Sequence, residues 1–344
     1  MVPKRDDIVI NNRETQSDFV RVVAMLFVIC VHLPFGFTDN PLILIAQPAI
    51  FFTCNGMFYM LSGKFNLRFQ PSDDLISSYK IYYLKKFKNI LIPYFLYSII
   101  LYMYSNWHIY SELGLKKYMY GLVNAFFSAN ANGHIWFMYP LIGMLIGAPF
   151  LAKMLWSLSD QELKILVVIA LLWNFVGIII VRNIFMISYS YSGWFLNEWL
   201  FYFILGYCCD RLIDKKSGIY IILGFIAMLL TLFQKVYFDN RSQYIFDISP
   251  IYTFAIIGIY LFIERKCIVK NKKFKLILSF LSKYSFGIYM LHMNILNFVT
   301  GKMGNADGIV KWMIEVAIIL AISLALTFII DNCIIKPIKK LIII

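Results

Sequence analysis

The residues of this chain that could do chemistry are ionisable side chains set inside long apolar runs. Such groups are costly in a membrane interior and default to functional candidates. The first run holds three of them. Arg21 and His32 are eleven residues apart, which at 100° per residue returns to within ~20° of one helical face and separates them by about 16.5 Å along the axis. Asp18 lies about 60° away on the neighbouring strip. A neutral imidazole is suited to take a proton from a hydroxyl, or to carry a transferred group, near neutral pH. Snorkelling toward the membrane surface accounts for Arg21 as well as a functional role does. It does not account for a histidine deep in the run.

Further along, His134 starts the fourth run and is followed by Ile135, Trp136 and Phe137. Asn197 and Glu198 lie in the sixth run, His292 in the ninth and Glu315 in the tenth. Glu315 reads equally as a paired structural carboxylate and as a catalytic one. Trp136 reads first as an interface anchor. Counting His108 before the fourth run, all four histidines fall on the same membrane side, yet their spacing matches no His-Glu-x-x-His pattern. No metal site is expected. Asn55-Gly56 and Ser62-Gly63, seven residues apart in the second run, share a face that lets another helix approach closely. In a functional version, Asn55 or Ser62 bonds a neighbour of His32.

These side chains need helices to hold them, and the composition supplies those. Of 344 residues, 60% are hydrophobic and 15% charged, with mean hydropathy +0.71. A soluble domain carries roughly 45–50% apolar and about 25% charged residues. A disordered chain is less apolar still. The net charge of +13 does not mark a nucleic-acid partner, because the basic residues sit between apolar runs. A bilayer core needs about 20 apolar residues per helix. Such runs occupy 18–37, 41–62, 87–105, 135–155, 163–181, 194–213, 217–235, 248–264, 276–299 and 312–334. The mixed segment 113–127 reads as an interfacial helix. With the 1–17 segment inside the cell, 23 Lys and Arg fall on inside segments and 7 on outside ones, while Arg21 and Lys283 lie within spans. That bias is the one cytoplasmic loops carry. The expectation is an all-α polytopic bundle of about ten helices, one membrane domain over 1–344, with both termini cytoplasmic and no cleaved signal peptide. The six cysteines, two of them adjacent at Cys208 and Cys209, show no spacing that implies disulfides or zinc.

The order of the motifs resembles the acyltransferase-3 family of integral-membrane O-acyltransferases. Asp18-Phe-Val-Arg21, ten residues and His32 resemble its opening Arg-x10-His signature. FFTCNGMFYMLSGKF (51–65), LKKFKNILIPYF (84–95), HIWFMYPLIG (134–143) and LSKYSFGIYMLH (281–292) are similar to its later segments, in the same order over about 280 residues. One departure stands out. The family often has Arg-x-x-Arg before the Ile-Pro, where this chain reads Lys86-Phe-Lys-Asn89, and lysine lacks arginine's bidentate fork.

The resemblance implies transfer of an acyl group, most often acetyl, from cytoplasmic acyl-CoA to a hydroxyl of a cell-surface or lipid-linked glycan such as exopolysaccharide or O-antigen. It implies a multi-pass protein of the bacterial cytoplasmic membrane, with acyl-CoA as donor substrate and no permanently bound cofactor. Under it His32 is general base or transient acyl carrier, and Glu315 orients His32 or a sugar hydroxyl. Arg21, Lys85, Lys86 and Lys88 attract the donor's phosphates. Asp18, Asn55, Ser62, His134, Trp136 and His292 support the site. A rival expectation is an exporter or flippase of a polysaccharide or lipid-linked sugar that transfers no acyl group.

Overall fold

The computed structural model describes residues 14–127, 133–187, 196, 198–213, 217–237, 245–246, 249–304 and 306–342. The described residues are helical apart from short connections. In chain order the helices are α1 (Thr15–His32), α2 (Pro41–Phe51), α3 (Thr53–Asn66), α4 (Leu75–Lys86), α5 (Ile92–Phe127), α6 (Met138–Ser157), α7 (Asp160–Asn174), α8 (Glu198–Leu212), α9 (Ser217–Tyr237), α10 (Pro250–Leu261), α11 (Lys272–Met303), α12 (Ile309–Ile330) and α13 (Lys336–Ile342). Wide π turns continue α4 into α5 (Phe87–Leu91), extend α7 (Phe175–Ile184) and α10 (Phe262–Lys266), and join α12 to α13 (Asp331–Ile335). A 3-10 turn, Gly133–Phe137, leads into α6.

Each of the ten apolar runs is helical over most of its described residues. Seven helical segments among the described residues are long and apolar enough to cross a membrane: Thr15–His32, Leu42–Asn66, Leu75–Asn106, Gly133–Ser157, Asp160–Ile184, Ser217–Tyr237 and Ile309–Ile342. The sixth, eighth and ninth runs fall outside that set. α8 has 15 residues and α10 has 12. α11 has 32 residues but carries Lys272, Lys273, Lys275, Lys283 and Lys302. The residues before Glu14 and Asn197 lie outside the described residues, as does the side chain of His108.

Local signals set several boundaries. Ser159 caps α7 in a reciprocal box with Glu162, and Asp74 caps α4 by accepting from the Ser77 amide at 3.1 Å. The basic stretch around Lys85 therefore lies inside a continuous helical segment from Leu75, not ahead of one as the apolar pattern implied. Segment 113–127 is helical too, joined to α5 through Gly114 at φ 74°, a left-handed conformation that favours glycine.

Small residues bring the helices together. A Cβ on Gly63 would lie 1.6 Å from the Phe203 carbonyl oxygen, and one on Gly206 would lie 1.8 Å from that of Met60. α3 and α8 thus touch backbone to backbone. Gly224 and Gly258 do the same for α9 and α10. The core between them is aromatic, with Tyr59, Tyr202, Tyr252 and Tyr260 fully buried. Their hydroxyls still find partners. Tyr252 donates to the Ala49 carbonyl at 2.7 Å, Tyr59 to that of Phe137 at 3.1 Å, and Tyr202 pairs with Thr253 at 3.0 Å. Each ring buries apolar area while its tip ties two elements together.

Candidate active site

α1 presents its ionisable residues at its two ends. At the end near Arg21, the guanidinium donates to Asp18 Oδ1 at 3.2 Å and to Ser282 Oγ at 2.8 Å, while the Ser282 hydroxyl donates to the same Asp18 oxygen at 2.6 Å. Asp18 is buried and Arg21 about a quarter exposed. The triad locks α1 to α11.

At the opposite end, His32 meets two other histidines. The rings of His32 and His292 stand 5.4 Å apart, and those of His292 and His134 stand 5.0 Å apart. Residues far apart in sequence therefore form one imidazole cluster, drawn from α1, the turn before α6, and α11. His134 and His292 are buried whereas His32 is exposed. His292 Nδ1 lies 2.6 Å from the Tyr289 carbonyl, and His134 Nε2 lies 3.0 Å from that of Met290. A carbonyl only accepts, so in the neutral rings these nitrogens carry the protons and His292 Nε2 keeps its lone pair. That buried Nε2 has no partner among the described residues. The Tyr289 hydroxyl in turn donates to the His134 carbonyl.

The end of α1 is held from outside. Gln47 of α2 donates from Nε2 to the carbonyls of Cys30 at 3.0 Å and Leu33 at 2.7 Å, and its Oε1 accepts from the Phe35 amide at 3.1 Å. Trp312 of α12 donates from its indole to the same Leu33 carbonyl at 2.9 Å. Neither residue is conspicuous in the sequence. A glutamine in an otherwise apolar run was the only available signal for Gln47.

The remaining candidates are distributed. Glu315, three residues beyond Trp312 on α12, is fully buried, and both its oxygens lack a hydrogen-bond partner among the described residues. It does not bond His32. Trp136 is partly exposed and packs on Trp199 at 5.3 Å, which stacks on Tyr59. Asn55 accepts a weak contact from the Cys54 thiol, and the Ser62 carbonyl accepts from Asn66. Of the basic stretch, Lys86 sits 5.0 Å over the Tyr82 ring, while Lys85 and Lys88 are exposed. Among the described residues no group of three His, Cys, Asp or Glu side chains is placed to hold a metal ion.

A second polar assembly was invisible in the sequence. Lys64, buried at the end of α3, bonds Glu264 at 2.7 Å, Ser17 at 3.2 Å and Glu14. Arg68 bonds Asp210 at 2.6 Å and Glu14 at 3.2 Å, and Glu264 also accepts from Tyr260 and Arg265. Three cations meet three carboxylates, so this network holds four helices together with no surplus charge.

Neither a curated protein nor a solved structure matches the chain. The family model for an acyltransferase domain, Acyl_transf_3, matches residues 15–332, from the first residue of α1 to the turn after α12. The match takes in the imidazole cluster, Arg21 with its partners, and Glu315. The chain belongs to the acyltransferase-3 family and is a membrane acyltransferase.

Proposed function

We propose that the protein transfers an acyl group, acetyl in the simplest case, from cytoplasmic acyl-CoA to a hydroxyl of a cell-surface or lipid-linked glycan, with His32 as the reacting side chain. The observation that carries this reading is the exposed His32 ring set against buried, carbonyl-oriented His292 and His134. The Arg21 end faces the cytoplasm in this reading and receives the donor, whose thioester reaches His32 through its flexible arm. His32 takes the proton of the acceptor hydroxyl, and the oxygen attacks the thioester carbonyl carbon. The carbon–sulfur bond breaks, and the imidazolium returns the proton to the departing CoA thiolate. The lone pair of His292 Nε2 is available to accept an N–H of His32 and so fix which of its nitrogens is basic. The unpartnered Glu315 oxygens are available to a sugar hydroxyl.

The test is chemical. Deleting the gene lowers acyl-ester content of the surface glycan, and wild type restores it but His32→Ala does not, at equal membrane abundance. Full restoration by His32→Ala defeats the mechanism. Unchanged esters with glycan accumulating inside the deletion strain would point to an exporter instead.

A further inference from the structure

The connection from α10 to α11 is dense in positive charge. Six of the eleven residues from Arg265 to Lys275 are Lys or Arg, and the next carboxylate in sequence after Glu264 is Asp307. Glu264 is already engaged, its Oε1 by Lys64 at 2.7 Å and its Oε2 by Arg265 at 3.2 Å. Lys266 and Lys270 stand exposed beyond that network, on either side of Cys267, Ile268 and Val269. Val269 turns inward and joins a buried cluster with Val22 and Met25 of α1 and Leu278 of α11. The connection is thereby held against both helices.

Between the connection and these helices lies a cavity of about 380 Å³, within the ~300–1,000 Å³ of small-molecule sites. Lys266, Lys270 and Asn271 supply its polar lining. Phe19 of α1 and Phe274 of α11 supply an apolar wall, their rings meeting edge to face at 5.9 Å. Asn271 caps α11 by accepting with its side-chain oxygen from the amides of Lys273 at 2.8 Å and Phe274 at 3.2 Å. What Asn271 offers the cavity is therefore an N–H donor, beside the positive end of the α11 dipole. Two cations, a donor and a helix N-terminus converge, and that set suits a phosphate. The surface next to it is apolar, because Ile268, Phe274, Ile277 and Phe280 are all exposed. An inorganic phosphate or coenzyme A has no chains with which to cover that strip. A phospholipid has both parts.

We infer that this cavity seats the headgroup of an anionic phospholipid from the leaflet at the Arg21 end, with Lys266 and Lys270 on its phosphate and its chains along Ile268, Ile277 and Phe280. Clustered lysines immediately outside a membrane helix favour such headgroups. The bound lipid braces α1 against α11 through Phe19 and Phe274. The Asp18–Arg21–Ser282 triad joins the same two helices about two turns further along α11, and their far ends carry His32 and His292. The inference needs only the membrane-spanning fold, so it stands or falls apart from the acyl-transfer chemistry proposed above.

Cys267 borders the cavity, and its thiol reports whether the cavity is filled. With Cys333 replaced by serine, the other cysteines are buried. Purified full-length protein is placed in phosphatidylcholine vesicles with or without phosphatidylglycerol, and the rate of Cys267 reaction with N-ethylmaleimide is measured. The variants are K266Q/K270Q, K266R/K270R and, as an equal loss of charge outside the cavity, K272Q/K273Q. K266Q/K270Q also gives the slowing that a negative surface alone produces. Phosphatidylglycerol is expected to slow wild type about fivefold or more beyond K266Q/K270Q, with K266R/K270R and K272Q/K273Q behaving as wild type. It is also expected to raise the unfolding midpoint of wild type and not that of K266Q/K270Q, because a ligand of the folded state stabilises it. Equal slowing in wild type and K266Q/K270Q overturns the site. Loss of the slowing in K272Q/K273Q as well assigns it to diffuse surface charge and overturns the site too. Equal protection by inorganic phosphate or coenzyme A in phosphatidylcholine vesicles assigns the cavity to a soluble anion and overturns the lipid. Protection of Cys267 with an unchanged midpoint overturns the bracing of α1 against α11.

Discussion

Helix α1 ends at His32 with carbonyls that its own backbone cannot pair. Gln47 closes one of these gaps at Cys30 and also binds Leu33, while its oxygen receives the Phe35 amide. The residues on both sides of His32 are thereby fixed to α2, and Trp312 adds α12 at the same Leu33 carbonyl. Reacting groups displaced by about 1 Å lose on the order of 10²-fold in rate. Gln47 is a positioning residue on this account, because it touches the backbone around His32 and not the reacting ring. Gln47→Leu should lower kcat by about 10²-fold, while on the acyl-transfer reading proposed above, in which the donor binds at the Arg21 end, the acetyl-CoA KM stays within twofold. Gln47→Glu keeps the acceptor for Phe35 and loses both donated bonds, so it should fall nearly as far. A loss of kcat matched by a rise in KM in proportion would indicate general unfolding of the site and reject the positioning role.

At the scale of elements, two devices hold the helices in register, and they differ in how they respond to conditions. Glycines at α3–α8 and α9–α10 allow backbone contact that no other residue permits. The face shared by Asn55-Gly56 and Ser62-Gly63 was legible because helical spacing is local. Its partner Gly206 was not, because nothing in α8 alone says which face α3 will meet. The ionic network is the second device. It joins Glu14 before α1 to Lys64 and Arg68 at the end of α3, with Asp210 of α8 and Glu264 after α10 completing it. Burial alone would raise the Glu14 carboxyl, but the hydrogen bond and charge of Lys64, with Ser17 and Arg68, outweigh it and hold it down at about 2. A carboxyl depressed in the folded state contributes stability that is fully present above its unfolded value of 4.5 and is lost as pH falls through about 2. Glu14 is 39% exposed in its side chain, so screening reduces its contribution to on the order of 1 kcal/mol. The unfolding midpoint of wild type should therefore exceed that of Glu14→Gln at neutral pH. The gap should close between pH 4.5 and 2. A gap that persists undiminished at pH 2 would show that Glu14 acts through shape alone.

Over the whole molecule, seven of the ten apolar runs were legible as helices able to cross a membrane, because a helix that must bury its backbone in lipid needs a long apolar stretch, and length is written locally. The imidazole cluster was legible only as separate histidines. His32, His134 and His292 meet because α11 carries Tyr289 and Met290, whose hydroxyl and carbonyl capture His134, and no local pattern announces that pairing. Lys64 and Glu264 are 200 residues apart and were hidden for the same reason. The third apolar run begins at 87, but the helix that carries it begins at Leu75 behind the Asp74 cap, because the long stems of Lys85, Lys86 and Lys88 tolerate a helical segment there. The membrane arrangement is where sequence and fold combine. Ten crossings with both termini cytoplasmic is a proposal that joins the 23-to-7 split of basic residues to the seven segments able to cross, and it requires the short α8 and α10 and the polar α11 to cross as well. In that arrangement Asp39, between α1 and α2, and Lys302, at the end of α11, face outward, while Asp73, ahead of α4, faces the cytoplasm. All three are exposed. With Cys267 and Cys333 replaced by serine to silence the accessible native thiols, Asp39→Cys and Lys302→Cys should react with a membrane-impermeant maleimide added to intact cells, and Asp73→Cys only after the membrane is opened. If α8, α10 and α11 did not all cross, an odd number of missing spans would put Asp39 and Lys302 on opposite sides. Labelling of Asp39→Cys without Lys302→Cys in intact cells would rule out the ten-span arrangement and move the acceptor side of His32 into question with it.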